Sequence, residues 1–476
     1  MSAIFSACMV FLVVQAPDIF SLSTGAPIVD VWLEDIQGDQ AVDLVALSVD
    51  REGTPSISAF CAGRPGSLPK TPTSQLLLGK ETVGLFLAEN DGIPPRELVV
   101  LKPNGAQVFR YVHDGGFLKD TEYEFPTIFG AGLSVPRFFP LVACDMDGDQ
   151  IEEWIVPHAG GLAIIKKGVS IAQVRCETRG SLLPSTDGSA ILTYRFPEFH
   201  VLRQEKDKTS GLMFLNSDVI QIIEGESWQV TRQLPVPFKN RPPLPSLEKL
   251  GACKMTWAFP SPPKPQSFAQ LKDFNQDGIP DILLVEAKGD ASSGVSVDLY
   301  VAENKGSFAQ EPVLHVEKQG FIQPFIEDVD RNGTPDVVLL QMMFGPRFII
   351  NYLTSRKVTL VADVFLNNKG IFNSVPDVSS AILAKMPEES EGSGVFALGD
   401  FNGDGRLDCV FGGPEGKLVV HTGEKNRFVS SAPWLSLEIA SAGMSHVYDL
   451  DRNGKDDLIV FRSRRGDTPA CDVVIF

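Results

Sequence analysis

A nine-residue acidic loop recurs along the chain, and each copy runs directly into a short apolar segment. The clearest copy reads DFNQDGIPD at residues 273–281 and precedes the apolar residues 282–285. Oxygen-bearing side chains stand at its first, third, fifth and ninth positions, and glycine stands at its sixth. Hard oxygen donors at alternate positions around a glycine turn are what a loop needs to wrap Ca²⁺. Because a β-prone run follows at once, we expect the loop to join two strands rather than two helices.

Five further copies carry the same oxygen pattern, so the chain has six candidate metal loops. Three of the five keep glycine at the sixth position, whereas the other two carry Gln40 and Gln150 there. That position favours glycine because we expect a left-handed backbone conformation at it, so metal binding by these two loops stays an open question. The candidate metal ligands are Asp35, Gln37, Asp39, Asp43, Asp145, Asp147, Asp149, Glu153, Asp273, Asn275, Asp277, Asp281, Asp328, Asp330, Asn332, Asp336, Asp400, Asn402, Asp404, Asp408, Asp449, Asp451, Asn453 and Asp457.

The alternative for each loop is an Asp/Asn-Gly hairpin turn that binds no metal. Six copies that all keep the ninth-position acid argue against this alternative, since a plain turn does not need that residue. At least three carboxylates per loop repel one another unless a cation lies among them. We therefore predict up to six structural Ca²⁺ ions, with the carbonyl group of the seventh residue and water completing each shell.

The charge of the chain agrees with this prediction. The 476 residues carry a formal net charge of −18, and nineteen of the candidate ligands are carboxylates. Six bound divalent cations would bring the formal charge to −6. An acidic chain of this kind lacks the basic face that nucleic-acid binding requires, so we predict no nucleic-acid partner.

The spacing of the loops predicts an eightfold repeat. They begin at residues 35, 145, 273, 328, 400 and 449, and the first two gaps are about double the others. We therefore place a degenerate unit in each long gap, at residues 87–100, where the first ligand is lost, and at residues 205–215. Eight units give an average period of about 59 residues, which is the size of a propeller blade. The fold prediction is all-β, a single β-propeller of four-stranded blades, with seven blades as the alternative to eight.

The two ends of the chain are expected to meet in one blade. The last unit lacks its fourth strand, and residues 18–23 form a spare β-prone segment ahead of the first unit. We predict that this segment completes the last blade and closes the ring. Removal of residues 17–26 should then lower the stability of the protein sharply.

The first residues read as an export signal. Residues 4–14 form an apolar run of the length of a signal-peptide core, too short to span a bilayer, and small residues follow near position 16. We predict a signal peptide at residues 1–16 and a propeller at 17–476, with export to the periplasm, the cell surface or the medium. A buried strand is the alternative, and cleavage or lipidation stays open. No other segment approaches transmembrane length.

At its acidic loops the chain resembles the FG-GAP/VCBS repeat family, which includes the propeller of integrin α chains and many exported bacterial proteins. The loops that carry the resemblance are those quoted above, each followed by an apolar strand. The resemblance implies a propeller, commonly of seven blades, that holds Ca²⁺ in hairpin loops. It also implies extracellular interaction or structural roles more often than catalysis.

No catalytic motif is present in the sequence. There is no GxSxG, HExxH or P-loop, and the six histidines show no paired spacing. This absence is weak evidence, because propeller enzymes build sites from residues far apart in sequence. We expect an exported, Ca²⁺-stabilised module that binds an unknown protein or glycan on its rim, with a polysaccharide-active enzyme such as a lyase as the alternative. An enzyme needs a cleft with perturbed pKa values, and a binding module needs an exposed aromatic or apolar patch.

Overall fold

Each predicted acidic loop lies in a hairpin between the first and second strands of a four-stranded antiparallel sheet. The computed structural model contains eight such sheets, the blades of a single β-propeller. The prediction of eight four-stranded blades is therefore confirmed, and seven blades is wrong. The structure describes residues 16–129, 136–139, 143–158, 160–177, 179–184, 190–195, 198–202, 211–224, 228–238, 267–288, 294–303, 307–343, 345–386, 394–413, 416–462 and 471–476.

The strands are numbered in chain order, and the first strand is β1 (Asp18–Leu22). Blade 1 contains β2 (Ile28–Glu34), β3 (Asp43–Val49), β4 (Pro55–Phe60) and β5 (Ser74–Leu77). Blade 2 contains β6 (Gly84–Ala88), β7 (Glu97–Lys102), β8 (Gly105–Val112) and β9 (Gly116–Glu124). Blade 3 contains β10 (Ala143–Cys144), β11 (Glu153–His158), β12 (Gly161–Lys166) and β13 (Val169–Arg175). Blade 4 contains β16 (Glu198–Leu202), β17 (Gly211–Leu215), β18 (Val219–Glu224) and β19 (Val230–Pro235). The hairpin β14 (Arg179–Pro184) and β15 (Ala190–Arg195) lies between these two blades in the sequence.

The second half of the ring repeats this arrangement with two small added hairpins and one helix. Blade 5 contains β20 (Phe268–Lys272), β21 (Asp281–Ala287), β22 (Val295–Tyr300) and β25 (Leu314–Lys318), with the hairpin β23 (Ala302–Glu303) and β24 (Ser307–Phe308). Blade 6 contains β26 (Phe321–Glu327), β27 (Asp336–Met342), β28 (Lys357–Phe365) and β29 (Val378–Lys385), with α1 (Pro346–Ser355) before β28. Blade 7 contains β30 (Phe396–Gly399), β31 (Asp408–Gly412), β32 (Lys417–His421) and β35 (Leu435–Ala440), with the hairpin β33 (Gly423–Glu424) and β34 (Arg427–Val429). Blade 8 contains β36 (Met444–Tyr448), β37 (Asp457–Phe461), β38 (Cys471–Ile475) and the first strand, β1.

The apolar run after each acidic loop becomes the second strand of a blade, which is covered on both faces. Successive side chains of a strand point to opposite faces, so such a strand needs apolar residues at every position. In β21, Leu283 and Val285 contact blade 6, whereas Ile282 and Leu284 contact blade 4. The core is accordingly divided into eight apolar clusters, each shared by two neighbouring blades around the ring.

The first strand closes the ring, as predicted. The strand β1 pairs antiparallel with β38, from Asp18 opposite Ile475 to Leu22 opposite Cys471. Leu22 is 1% exposed and belongs to the cluster between blades 8 and 1. The hydroxyl group of Ser21 donates a hydrogen bond to Asp472 across the same ladder, at 2.6 Å. Blade 8 is therefore built from both ends of the chain.

The helix α1 covers part of blade 6 and leaves an apolar face in solvent. Phe348 and Tyr352 contact the cluster between blades 6 and 7, while Ile350 and Leu353 are 60% and 69% exposed. Within the described ranges, no helix has the length and apolar character needed to cross a bilayer. The predicted signal peptide lies outside the described residues except for Ala16, and so does the loop of the degenerate unit near residue 205.

Candidate metal loops

The backbone of all six predicted loops turns through two left-handed positions. The sixth residue has a positive φ in each loop, including 71° at Gln40 and 72° at Gln150, so the expected conformation is confirmed. The fourth residue also has a positive φ in each loop, which the sequence did not reveal. The two loops with glutamine at the sixth position have Gly38 and Gly148 at the fourth. Every loop therefore has at least one glycine where its backbone is left-handed.

The first aspartate of each loop organises the turn. In the loop of blade 1, the carboxylate of Asp35 accepts hydrogen bonds from the backbone N–H groups of Gly38 and Gln40, both at 2.6 Å. The bond from the sixth residue recurs in the other five loops at 2.8 to 3.0 Å. The negative charge is thus held at the centre of the loop by backbone dipoles.

The ninth residue is the buried anchor of each loop. In blade 5, one oxygen of Asp281 accepts from the backbone N–H of Phe274 at 2.7 Å, and the other accepts from that of Ala302 at 2.7 Å. The same pair of bonds is made by the ninth residues of blades 1, 6, 7 and 8. These five aspartates are fully buried. Since each carboxylate oxygen has two lone pairs, both oxygens can still face a cation.

Burial raises the pKa of the five ninth-position aspartates, and the other carboxylates of the same loop raise it further. Backbone hydrogen bonds act in the opposite direction and do not cancel the effect of burial. The resulting pKa is about 6 for Asp43, Asp336 and Asp457, and about 7 for Asp281 and Asp408. In the absence of a bound cation, ionisation of these buried aspartates therefore lowers the free energy of unfolding.

The metal-free protein should therefore lose stability as the pH rises from about 4 to about 7. The ordinary aspartate pKa is about 3.9, so in this window the folded state binds more protons than the unfolded state, and the free energy of unfolding falls with rising pH. Urea unfolding of metal-stripped protein, followed at several pH values, measures the effect. A bound cation favours the ionised carboxylates, so the decline should be smaller in Ca²⁺. The prediction would be contradicted if the urea midpoint of the metal-free protein stayed constant or rose as the pH increased across this window.

Three of the predicted loops bring their first, third and ninth carboxylates together. In each, one oxygen from every member lies within 4.8 Å of the others. In the described part of the chain, the loops beginning at residues 35, 273 and 400 form no group of three carboxylates within this distance. Their third residues are Gln37, Asn275 and Asn402, and the aspartates at their first, fifth and ninth positions do not all come this close. The carbonyl oxygen of the Gln37 side chain instead lies 3.0 Å from a ring nitrogen of His113.

A fourth group of carboxylates lies in blade 2, where the spacing of the loops predicts only a degenerate unit. Glu89, Asp91 and Glu97 have oxygens within 4.8 Å of one another, and the backbone N–H of Asn90 donates to Glu97 at 2.9 Å. The expectation that this unit loses its first ligand is wrong, because Glu89 occupies that position. The signal was present in the sequence, since acids at 89, 91 and 97 repeat the spacing of positions one, three and nine.

Neighbouring loops contact one another along one end of the propeller. The side chain of Gln276, at the fourth position in blade 5, donates to the carbonyl group of Gly333 in the next loop. The guanidinium group of Arg331 lies 3.3 Å from the carboxylate of Asp400. The side chain of Arg452 donates to the carbonyl group of Gln40, which joins blade 8 to blade 1. Fourth-position side chains thus connect one acidic loop to the next.

The donor set of these loops fits Ca²⁺. The grouped atoms are carboxylate oxygens, which are hard donors, and the clusters include neither cysteine nor histidine. The ninth-position carboxylate is fixed by backbone hydrogen bonds before any ion binds, so little side-chain entropy is lost on binding. A divalent cation would supply the positive charge that the buried carboxylates lack.

Comparison with known proteins matches part of the chain to a repeat family. Residues 273–339 and 400–460 match the model of the FG-GAP-like repeat. No curated protein sequence matches the chain. A crystal structure of BBS1N in complex with ARL6DN is 10% identical, with 97% of this chain and 96% of that chain covered and a TM-score of 0.37. The V. cholerae biofilm matrix protein Bap1 is 12% identical, with 97% and 87% covered and a TM-score of 0.34.

The two matched ranges contain the acidic loops of blades 5 and 6 and of blades 7 and 8. Each range thus spans two successive hairpins of the kind described above. These two ranges are therefore similar to FG-GAP-like repeats, and they lie in blades 5 to 8 of the eight-bladed β-propeller.

Proposed function

We propose that this protein is an exported β-propeller, stabilised by Ca²⁺ in its acidic loops, that acts as an interaction or structural module for a protein or a carbohydrate. The observation that carries the calcium part is the buried ninth-position aspartate, which five loops hold in the same way. Its pKa is raised by burial and by the adjacent loop carboxylates. A divalent cation at this position offsets the free-energy cost of burying the aspartate charge, because it pairs with that carboxylate. It also reduces the repulsion between the loop carboxylates, because it lies among them.

Asp330 offers a conservative test of calcium binding in one loop. Its position in blade 6 is occupied by Asn275 in blade 5 and by Asn402 in blade 7, so the substitution Asp330→Asn has a precedent within the chain. The carboxylate of Asp330 accepts a hydrogen bond from the backbone N–H of Asn332, which an amide oxygen can also accept. We expect this variant to bind one Ca²⁺ about tenfold more weakly, because that loop keeps fewer anionic ligands.

Isothermal titration of both proteins with Ca²⁺ measures the change. The matched control is Asp50→Asn in the turn between β3 and β4, where Asp50 accepts backbone hydrogen bonds from Glu52 and Thr54 but belongs to no acidic loop. The control should bind Ca²⁺ as the unaltered protein does. Absence of calcium binding in the unaltered protein, or equal binding by all three proteins, would refute the proposal for this loop.

The exposed apolar face of α1 supports an interaction module over a polysaccharide-active enzyme. Ile350 and Leu353 lie one helical turn apart on this face, and Met343, just before the helix, is 59% exposed. Exposed apolar surface of this kind is typical of sites that contact other molecules. Incubation with a panel of anionic and neutral polysaccharides should release no new chain ends. Enzyme-dependent release of oligosaccharides would overturn the proposed role.

The proposal of export rests on the need of such loops for calcium. Loops of moderate affinity fill where Ca²⁺ is millimolar, as it is outside cells. The apolar residues 4–14 agree with an export signal. Sequencing of the N-terminus of the protein recovered from its native cells should show a mature chain that begins near Pro17. A cytosolic protein that retains Met1 would contradict export.

A further inference from the structure

The acidic loop of blade 3 differs from the others because a side-chain ammonium group lies among its carboxylates. The Nζ atom of Lys166 is 2.5 Å from an oxygen of Asp147, 2.9 Å from one of Asp149 and 2.7 Å from one of Glu153. These are the third, fifth and ninth positions of the loop. Three of its four predicted metal ligands therefore share one cation that belongs to the chain itself. We propose that Lys166 takes the place of Ca²⁺ in this loop.

Strand register explains why the lysine reaches this position. Ile165 pairs with Trp154, so Lys166 follows directly and lies across from Glu153. The same register position, across from the ninth-position acid, holds an uncharged residue in the five blades whose ninth residue is aspartate. These residues are Cys61, Val301, Leu366, Thr422 and Ile475. Only blades 3 and 2, among the blades whose loop the structure describes, have a basic residue there.

Blade 2 shows a related arrangement. Arg110 lies across from Glu97, and its guanidinium group is 2.7 Å from the third-position carboxylate of Asp91. Both blades with a basic residue at this register position have glutamate as the ninth residue, whereas the other five have aspartate. A ninth-position glutamate and a basic residue across from it thus occur in the same two blades. This combination distinguishes a loop whose cation is a side chain of the protein from a loop that we propose to bind Ca²⁺.

The ammonium group and a metal ion exclude each other at this place. The side chain of Lys166 is 17% exposed and that of Glu153 is fully buried, so their interaction lies in a poorly solvated region. The ammonium group donates a hydrogen bond to Asp147 and forms ion pairs with Asp149 and Glu153. A divalent cation bound by the same oxygens would lie within about 4 Å of the ammonium charge, and the two like charges would repel strongly at low dielectric constant.

The substitution Lys166→Met tests this inference, which rests in part on the proposed calcium binding by the other loops. Methionine keeps the length of the side chain and removes its charge, so the blade 3 loop should gain a calcium site. The variant is purified in Ca²⁺ and its bound calcium is counted by elemental analysis after gel filtration. We expect one more Ca²⁺ per chain than in the unaltered protein. In chelator the variant should melt at a lower temperature than the unaltered protein, because Glu153 then lacks a counter-ion.

Lys102→Met is the matched control. Lys102 has a side-chain exposure of 19%, and its ion-pair partners are Glu122 at 3.0 Å and Glu81 at 3.7 Å, neither of which belongs to an acidic loop. This variant should bind the same number of ions as the unaltered protein. If Lys166→Met gains no ion, or does not fold even in Ca²⁺, the inference is overturned. If the unaltered protein binds no Ca²⁺, the proposed function fails, while a gain of one ion by Lys166→Met still supports the role of the lysine.

Discussion

Removal of divalent cations is expected to lower the melting temperature of residues 17–476 by roughly 13 °C. Five loops have a buried ninth-position aspartate and no basic side chain across from it. At a hundredfold excess over the dissociation constant, each bound ion adds about 2.7 kcal/mol to the free energy of unfolding. A chain of this length unfolds with an entropy of roughly 1 kcal/mol per kelvin, which converts the total from five ions into this temperature shift.

Thermal melts in millimolar Ca²⁺, in excess EGTA and in EGTA followed by excess Ca²⁺ measure the effect. Mg²⁺ is the control cation, because it demands an octahedral shell, retains its water and is bound poorly by loops of this kind. Only Ca²⁺ should restore the melting temperature. An unchanged melt in EGTA would show that the loops are turns without a structural ion, and full rescue by Mg²⁺ would show that they do not select for calcium.

Deletion of residues 17–26 should destabilise the protein severely. The outermost strand of blade 8 would be lost, leaving β38 with an unpaired edge along five residue pairs. The apolar cluster between blades 8 and 1 would lose Leu22, which is 1% exposed. Replacement of this leucine alone by alanine should cost about 2–5 kcal/mol, whereas Ile19→Ala should cost about 0.5 kcal/mol because Ile19 is 37% exposed.

Urea unfolding of the truncated protein and of the two single variants tests the closure. A synthetic peptide of residues 17–26 provides a further control, since an added strand can pair with the open edge. The peptide should raise the midpoint of the truncated protein and leave that of the full chain unchanged. Equal midpoints for the truncated protein and the full chain would show that β1 contributes nothing to the ring.

The repeated loop made the fold predictable, because blade number and strand order follow from a period that the sequence displays directly. The ninth-position acids were equally visible, since their spacing from the first aspartate is fixed within one hairpin. Lys166 was not visible in this way. It lies 13 residues after Glu153, and only the register of β11 against β12 brings the two together. A contact that depends on the register of two strands leaves no short motif in the sequence.

Two other features were missed for a different reason. The first-position aspartate was expected in every unit, so the equivalent Glu89 was overlooked although the spacing of its partners was intact. Glycine was expected only at the sixth position, whereas the backbone is left-handed at the fourth as well. The pairing of Gly38 with Gln40 and of Gly148 with Gln150 shows that one glycine in either place is enough for the turn.

The pairing of β1 with β38 also determines how the molecule responds to force. Asp18 and Ile475 lie opposite each other at the same end of this antiparallel ladder. A pull between the two ends would break its hydrogen bonds one after another, as a zipper opens, instead of loading them all at once. The ring should therefore open at blade 8 under low tension.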